Sequence, residues 1–138
     1  MLQVFLNTSA LIYLVEGQGK ARNAISRFFE GLDEEGIDYR LVVSRIAHLE
    51  CRIAPIREGD EALLKRYDSV LSLPRFKCVE LTKEVVELAT MIRAKVGLKT
   101  PDALQAASAL ELGEDHWFLT GDKSFLKLPQ LKVVLVSP

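Results

Sequence analysis

Four polar residues stand at the end of an apolar run or inside one, and each carries an oxygen suited to a hard cation. Asn7 directly follows Leu2-Gln3-Val4-Phe5-Leu6 and precedes a segment with helical periodicity. Glu50 has Ile46, Ala47, Ile53 and Ala54 three and four positions away, so on a helix its carboxylate lies within an apolar stripe. Asp102 falls in the first turn of Pro101-Asp102-Ala103-Leu104-Gln105-Ala106-Ala107, and Asp122 closes Phe118-Leu119-Thr120-Gly121-Asp122. Each has a local explanation. Asn7 suits a helix cap or turn, Asp122 a glycine turn, Asp102 the positive end of a helix dipole, and Glu50 a salt bridge to a core-lining Arg. As a set they describe converging carboxylates, which repel one another unless a cation neutralises them. Mg²⁺ or Mn²⁺ takes such oxygen ligands, activates water and offsets charge developing on a phosphodiester. His48 is two positions from Glu50 and points elsewhere on the helix, which disfavours a shared metal and leaves it a solvated or core histidine.

The elements that must position these residues alternate. Strands are expected at Leu2–Leu6, Leu41–Val43, Phe76–Leu81, Trp117–Thr120 and Leu131–Val136. Helices are expected at Ser9–Val15, Lys20–Glu34, Ser44–Ile53, Asp60–Ser72, Lys83–Val96 and Pro101–Leu112. Thr82 can cap the helix that Gly97 ends, and Thr100 can cap the helix that opens with Pro101. Strands separated by helices imply crossovers, hence an α/β fold with a mainly parallel sheet of about five strands flanked by helices. Ligands of such sheets bind beyond the carboxyl ends of the strands, where Asn7 and Asp122 fall.

The chain of 138 residues is 49% hydrophobic and 27% charged, with a formal net charge of -1. That is too apolar for a disordered tail, and no repeat or linker divides it, so residues 1–138 read as one domain. The balanced charge excludes a broad basic field for nucleic acid or anionic lipid, so any such function rests on a local site. Cys51 and Cys78 match no zinc or disulfide pattern and read as reduced and buried in a cytoplasmic protein. The N-terminal apolar stretch has neither a basic flank nor a cleavage site, and no membrane association is expected. Phe28, Phe29 and Trp117 read as core rather than as base-stacking platforms.

Val4-Phe5-Leu6-Asn7-Thr8-Ser9-Ala10-Leu11-Ile12 resembles the opening of PIN-domain proteins of the VapC toxin type, an apolar strand followed by Asp-Thr-Ser-Ala-Leu-Ile. Ser44-Arg45-Ile46-Ala47-His48-Leu49-Glu50 resembles the second acidic motif of that family, Pro101 to Ala107 the third, and Phe118-Leu119-Thr120-Gly121-Asp122-Lys123-Ser124-Phe125 the last. The resemblance spans essentially the whole chain and implies a single PIN-like nuclease domain. It also implies Mg²⁺- or Mn²⁺-dependent endonucleolytic cleavage of RNA, a cognate antitoxin and a possible homodimer. Carried over by position, Asn7, Glu50, Asp102 and Asp122 become the metal and catalytic set, with Thr120 a nearby hydroxyl helper. Arg45, Arg52 and Lys123, close in sequence to the acidic motifs, are candidate RNA-phosphate contacts. The departure is Asn7, which replaces the family's Asp, keeps an acceptor, loses the charge and adds an NH₂ donor.

The leading expectation is a VapC-type ribonuclease toxin with a weakened metal site. Its antitoxin would insert an Arg or Lys among Glu50, Asp102 and Asp122, beside a groove to which Ile12, Leu14, Phe28 and Phe29 contribute. The alternative is a non-catalytic module of the same fold that binds antitoxin or RNA. A phosphohydrolase with a strand-end Asp nucleophile fits worst, because the chain offers Asn7-Thr8-Ser9 at that place.

Overall fold

The computed structural model describes residues 1–17, 19–113 and 115–136. β1 (Leu2–Leu6) leads into α1 (Thr8–Glu16) and α2 (Gly19–Glu34), then β2 (Tyr39–Ser44), α3 (Arg45–Glu58), α4 (Glu61–Leu71) and β3 (Phe76–Val79). After these come α5 (Lys83–Val96), α6 (Thr100–Leu110), β4 (His116–Thr120), a 3₁₀ turn at Lys123–Lys127 and β5 (Val133–Leu135). All strand pairings are parallel, in the order β3-β2-β1-β4-β5. β1 is central, and the chain builds outward from it first through β2 and β3, then on its other side through β4 and β5. The topological switch point therefore lies between the carboxyl ends of β1 and β4.

Period-two alternation assigns each face of the sheet to a different layer. Val4, Leu6, Leu41, Val43 and Leu119 face a core completed by Leu11 and Val15 of α1, Ile25 of α2, Cys51 of α3 and Tyr67 of α4. Phe5, Val42 and Phe118 face the opposite core, with Val85 and Ile92 of α5, Ala103 and Ala106 of α6, and Phe125. Phe5 lies in register with Phe118, and their rings stack with centroids 5.2 Å apart. α6 buries Ala103, Gln105, Ala106, Ala107, Ser108 and Ala109, so small side chains surround it and bring its backbone close to α5 and β2.

The caps follow the sequence closely, with one correction. Thr82 accepts from Val85 N–H at 3.2 Å, and Gly97 ends α5 at φ 81. Thr100 is not the cap of α6. The Lys99 carbonyl takes the Ala103 N–H at 2.8 Å, so the helix starts one residue earlier and Lys99 stands at its N-cap without a side-chain bond.

Helix α3 runs through Pro55 to Gly59 at φ 68, past the expected end at Ile53. A proline one turn from the end forfeits a single backbone bond, and its buried ring offsets that loss. The strand ends follow partners rather than apolar character. β2 extends over Tyr39 and Arg40 because β1 pairs there, and β3 stops at Val79 because β2 ends opposite it. β5 is confined to Val133–Leu135, opposite Phe118–Thr120.

Both cysteines are free. Cys51 is buried, which pushes its thiol up to about 11, whereas Cys78 is only half-buried, contrary to expectation. Phe28 and Phe29 pack on the first core, and Trp117 is partly exposed.

Candidate active site

Asn7 leaves β1 as the N-cap of α1, nearly buried, with its side chain at the switch point. Its Oδ1 accepts from Ser9 N–H at 3.2 Å, Ser9 Oγ at 2.8 Å and Thr120 Oγ1 at 3.0 Å. A backbone N–H can only donate, so the atom facing Ser9 must be the oxygen and the amide orientation is determined. The NH₂ is therefore the end left for the cleft. An Asp here would keep the triply bonded oxygen and present its second oxygen where this chain presents N–H donors.

Thr120 is fully buried at the end of β4. Its hydroxyl donates to Asn7 and accepts from Asp122 N–H at 3.0 Å. It is thus engaged with Asn7 and Asp122. Ser9 Oγ also accepts from Gly121 N–H at 2.9 Å, which ties the β4 turn to α1. A Cβ at position 121 would lie 2.8 Å from the Tyr13 hydroxyl, so any larger residue there would displace that ring. Asp122 caps the 3₁₀ turn through Ser124 N–H at 2.8 Å. Turn chemistry and site membership coexist in this residue.

Glu50 projects from α3, whose start is set by Ser44 at the end of β2. Its Oε1 accepts from Thr8 Oγ1 at 2.7 Å and from Gln105 Nε2 at 3.0 Å. No cation pairs with it among the described residues, so the salt bridge to a core Arg is replaced by two neutral donors. Its stripe is also less buried than the spacing suggests: Ala47 is in the core, but Ile53 and Ala54 are exposed.

Asp102 stands in the first turn of α6 and shares a cavity of about 220 Å³ with Asp122, Lys99 and Ser124. Burial, then the charges of Asp122 and Glu50, push its carboxyl above the ordinary range, and Lys99 opposes the shift. The three carboxylates therefore share one electrostatic neighbourhood. Among the described residues no group of three His, Cys, Asp or Glu side chains is arranged to hold a metal ion. Mg²⁺ rarely needs one, since it is commonly held by one or two carboxylates with water and phosphate completing the shell. The oxygen donor set and the mutual repulsion at Asp102 fit such an open site.

The basic candidates divide. Arg45 forms an ion pair with Glu80 at 2.6 Å and also meets His48 Nδ1 at 3.3 Å. Arg52 donates to the His48 carbonyl at 2.7 Å and lies 4.0 Å from Asp68. Both are thus engaged by their own neighbours, whereas Lys123 is exposed immediately after Asp122. His48 is half-buried beside the two arginines, and burial first, then their charges, hold its pKa below the ordinary value. Sequence reasoning missed Thr8, Ser9 and Gln105. The available signal was Gln105 itself, a long polar residue among Ala103, Ala106 and Ala107.

A central parallel sheet with helices on both faces, and Asp102 and Asp122 lining one cavity, defines a single-domain α/β protein. The family model for the PIN domain matches residues 4–131, and the chain belongs to that family. No curated protein matches in sequence. The fold is similar to that of VapBC2 from Rickettsia felis, solved bound to a DNA fragment from its promoter, with TM-score 0.76, 16% identity, and 97% of this chain and 98% of the other covered. A toxin-antitoxin complex from Klebsiella pneumoniae gives TM-score 0.71 and 21% identity over 96% and 97%. FitAcB from Neisseria gonorrhoeae gives 0.73 and 17% over 96% and 97%.

Proposed function

We propose that this chain is a VapC-type ribonuclease toxin whose metal site is weakened by Asn7. The observation that carries the reading is that, in a chain matching the PIN family over residues 4–131, Asp102 and Asp122 line one cavity; burial, then the charges of Asp122 and Glu50, raise the Asp102 carboxyl. Mutual repulsion of this kind at a parallel-sheet switch point is what a divalent cation relieves. When bound, Mg²⁺ or Mn²⁺ supplies charge neutralisation at a phosphodiester and a more acidic water. Asp102, Asp122 and Glu50 are the residues that would hold it. Thr120 and Ser9 fix the two turns that deliver Asn7 and Asp122, and Lys123 is placed to meet an RNA phosphate. Arg45 and Arg52 reach phosphate only by giving up their present partners. Asn7 contributes an N–H₂ in place of a charged oxygen, which lowers cation affinity.

The partner of this reading is an antitoxin, supported by the complexes in which the similar folds were solved. An Arg or Lys from its tail would satisfy Glu50, Asp102 and Asp122 as a metal does. The expected groove does not adjoin the carboxylates: Leu14 and Phe29 line grooves with Tyr39, Leu41 and Arg75 at the amino ends of β2 and β3, and Ile12 and Phe28 pack on the core. A homodimer would form through α3, where Leu49, Ile53 and Ile56 make an exposed apolar stripe that a second copy can match with its own. Sedimentation of Ile53→Glu, monomeric where the parent is dimeric, tests that assignment. Among the described residues no helix is long and apolar enough to cross a membrane.

The deciding experiment is RNA cleavage by this chain and by Asn7→Asp, over structured RNAs with Mn²⁺ or Mg²⁺. Gain of metal-dependent cleavage in Asn7→Asp supports the enzyme reading. A folded but inert Asp form favours the alternative, a non-catalytic module that binds antitoxin or RNA.

A further inference from the structure

Gln105 is fully buried on α6, one helical turn after Asp102. Both hydrogens of its Nε2 are used, toward Thr8 Oγ1 at 2.7 Å and Glu50 Oε1 at 3.0 Å. Thr8 Oγ1 passes its own hydrogen to the same Glu50 oxygen at 2.7 Å. The three side chains close a ring drawn from α1, α3 and α6. A carboxylate only accepts, so the amide must present nitrogen to it and the orientation of Gln105 is determined. Its Oε1 is consequently left buried with no donor. An orphaned acceptor costs free energy that an apolar residue among these alanines would avoid, so the nitrogen end must account for the arrangement.

We propose that Gln105, relayed by Thr8, is a positioning residue that clamps one oxygen of Glu50 and leaves the other free for the cleft. The inference rests on the reading of the site as a cation site. Neutral donors suit that task. They orient the carboxylate as an Arg would but leave its charge uncancelled, so Glu50 can still attract a cation and can hold only one rotamer while doing so. α6 then delivers two things to the site from one face: the Asp102 carboxylate and, three residues on, the donor that aims its partner.

Mn²⁺ affinity, read by electron paramagnetic resonance in an Asn7→Asp background, tests the proposal. Gln105→Leu and Thr8→Val are expected to weaken Mn²⁺ binding by roughly tenfold to a hundredfold, and Thr8→Ser to preserve it. Melting temperature in Gln105→Leu should stay level or rise, because the orphaned oxygen is gone. Stability and affinity moving apart is a signature that a purely structural role does not produce. The unsubstituted chain supplies a second readout, since the Gln105 side-chain amide protons should exchange more slowly than those of exposed Gln130 and shift in Glu50→Ala. Unchanged Mn²⁺ affinity in a folded Gln105→Leu protein overturns the clamp, as does Gln105 exchange as fast as that of Gln130. If Asn7→Asp binds no Mn²⁺ at all, the cation-site reading fails, and the clamp on Glu50 stands or falls on the amide resonances alone.

Discussion

Asn7 Oδ1 accepts the Thr120 hydroxyl at 3.0 Å, a bond that joins the ends of β1 and β4 across 113 positions of sequence. The same oxygen serves Ser9 twice. Asn7→Ala strands these donors and should cost about 1–3 kcal/mol in urea unfolding. Asn7→Asp keeps the cap and should cost less than about 1 kcal/mol in the metal-free protein, since Asn and Asp cap helices comparably. An alanine variant as stable as the parent would show that the network is not holding the switch point together.

Glu50 accepts from neutral groups, so charge is not what those partners require. Glu50→Gln retains an acceptor oxygen and should unfold within about 1 kcal/mol of the parent, whereas Glu50→Ala leaves one Gln105 hydrogen and the Thr8 hydroxyl without their acceptor and should lose about 1–3 kcal/mol. A loss of roughly 3–5 kcal/mol in the Gln variant would instead reveal a buried ion pair.

Asp102 carries a pH signature. Its folded-state carboxyl is raised above the ordinary value by burial, Asp122 and Glu50, so the folded protein retains this proton to higher pH than the unfolded chain does. The stability tied to that proton is fully present below the ordinary carboxylate range and is lost as pH rises through the raised value. Asp102→Asn should therefore be more stable than the parent at neutral pH and show a flatter dependence across that window. Unfolding at a series of pH values checks this. Equal slopes in the two proteins would mean that the carboxylates do not feel one another.

Gly121 and Tyr13 form a steric pair, because an added Cβ would lie 2.8 Å from the hydroxyl and 2.9 Å from a ring carbon. Gly121→Ala should cost about 1–3 kcal/mol, an overpacking penalty. In a Tyr13→Ala background the same change should be close to neutral, so a double-mutant cycle should give coupling of about 1 kcal/mol or more. Additive effects would place the cost elsewhere.

Much of the fold was legible because the signals were local. The alternation of apolar runs with helical periodicity gave the five strands and six helices found among the described residues, and Thr82 with Gly97 bounded α5 to the residue. The misplaced ends are those decided by partners: Arg40 is in β2 because Gln3 lies opposite, and Leu81 is outside β3 because β2 has already ended. The 3₁₀ turn at Lys123–Lys127 is too short to show a period. In the site, the acidic residues were visible through their types and their places at strand ends or helix starts. Thr8, Ser9 and Gln105 were not, since hydroxyls and amides in a sequence do not announce what they bond. The ion pairs of Arg45 and Arg52 were hidden for the same reason: proximity in sequence to an acidic motif says nothing about Glu80 and Asp68, which engage them.

The strand order also sets a timetable. β1 is made first but sits at the centre of the sheet, and one of its two neighbours, β4, is made more than a hundred residues later. During synthesis the first half of the sheet can assemble on α1 to α4 while one edge of β1 stays unpaired, and distant pairings of this kind are slow to close. Asp102 and Asp122 both arrive in the last third of the chain, and Thr120 secures Asn7 only once β4 has docked. A nascent chain on the ribosome therefore carries Asn7 and Glu50 long before Asp102 and Asp122 join them, and truncation before His116 leaves three of the five described strands and neither Asp122 nor the Thr120 bond to Asn7.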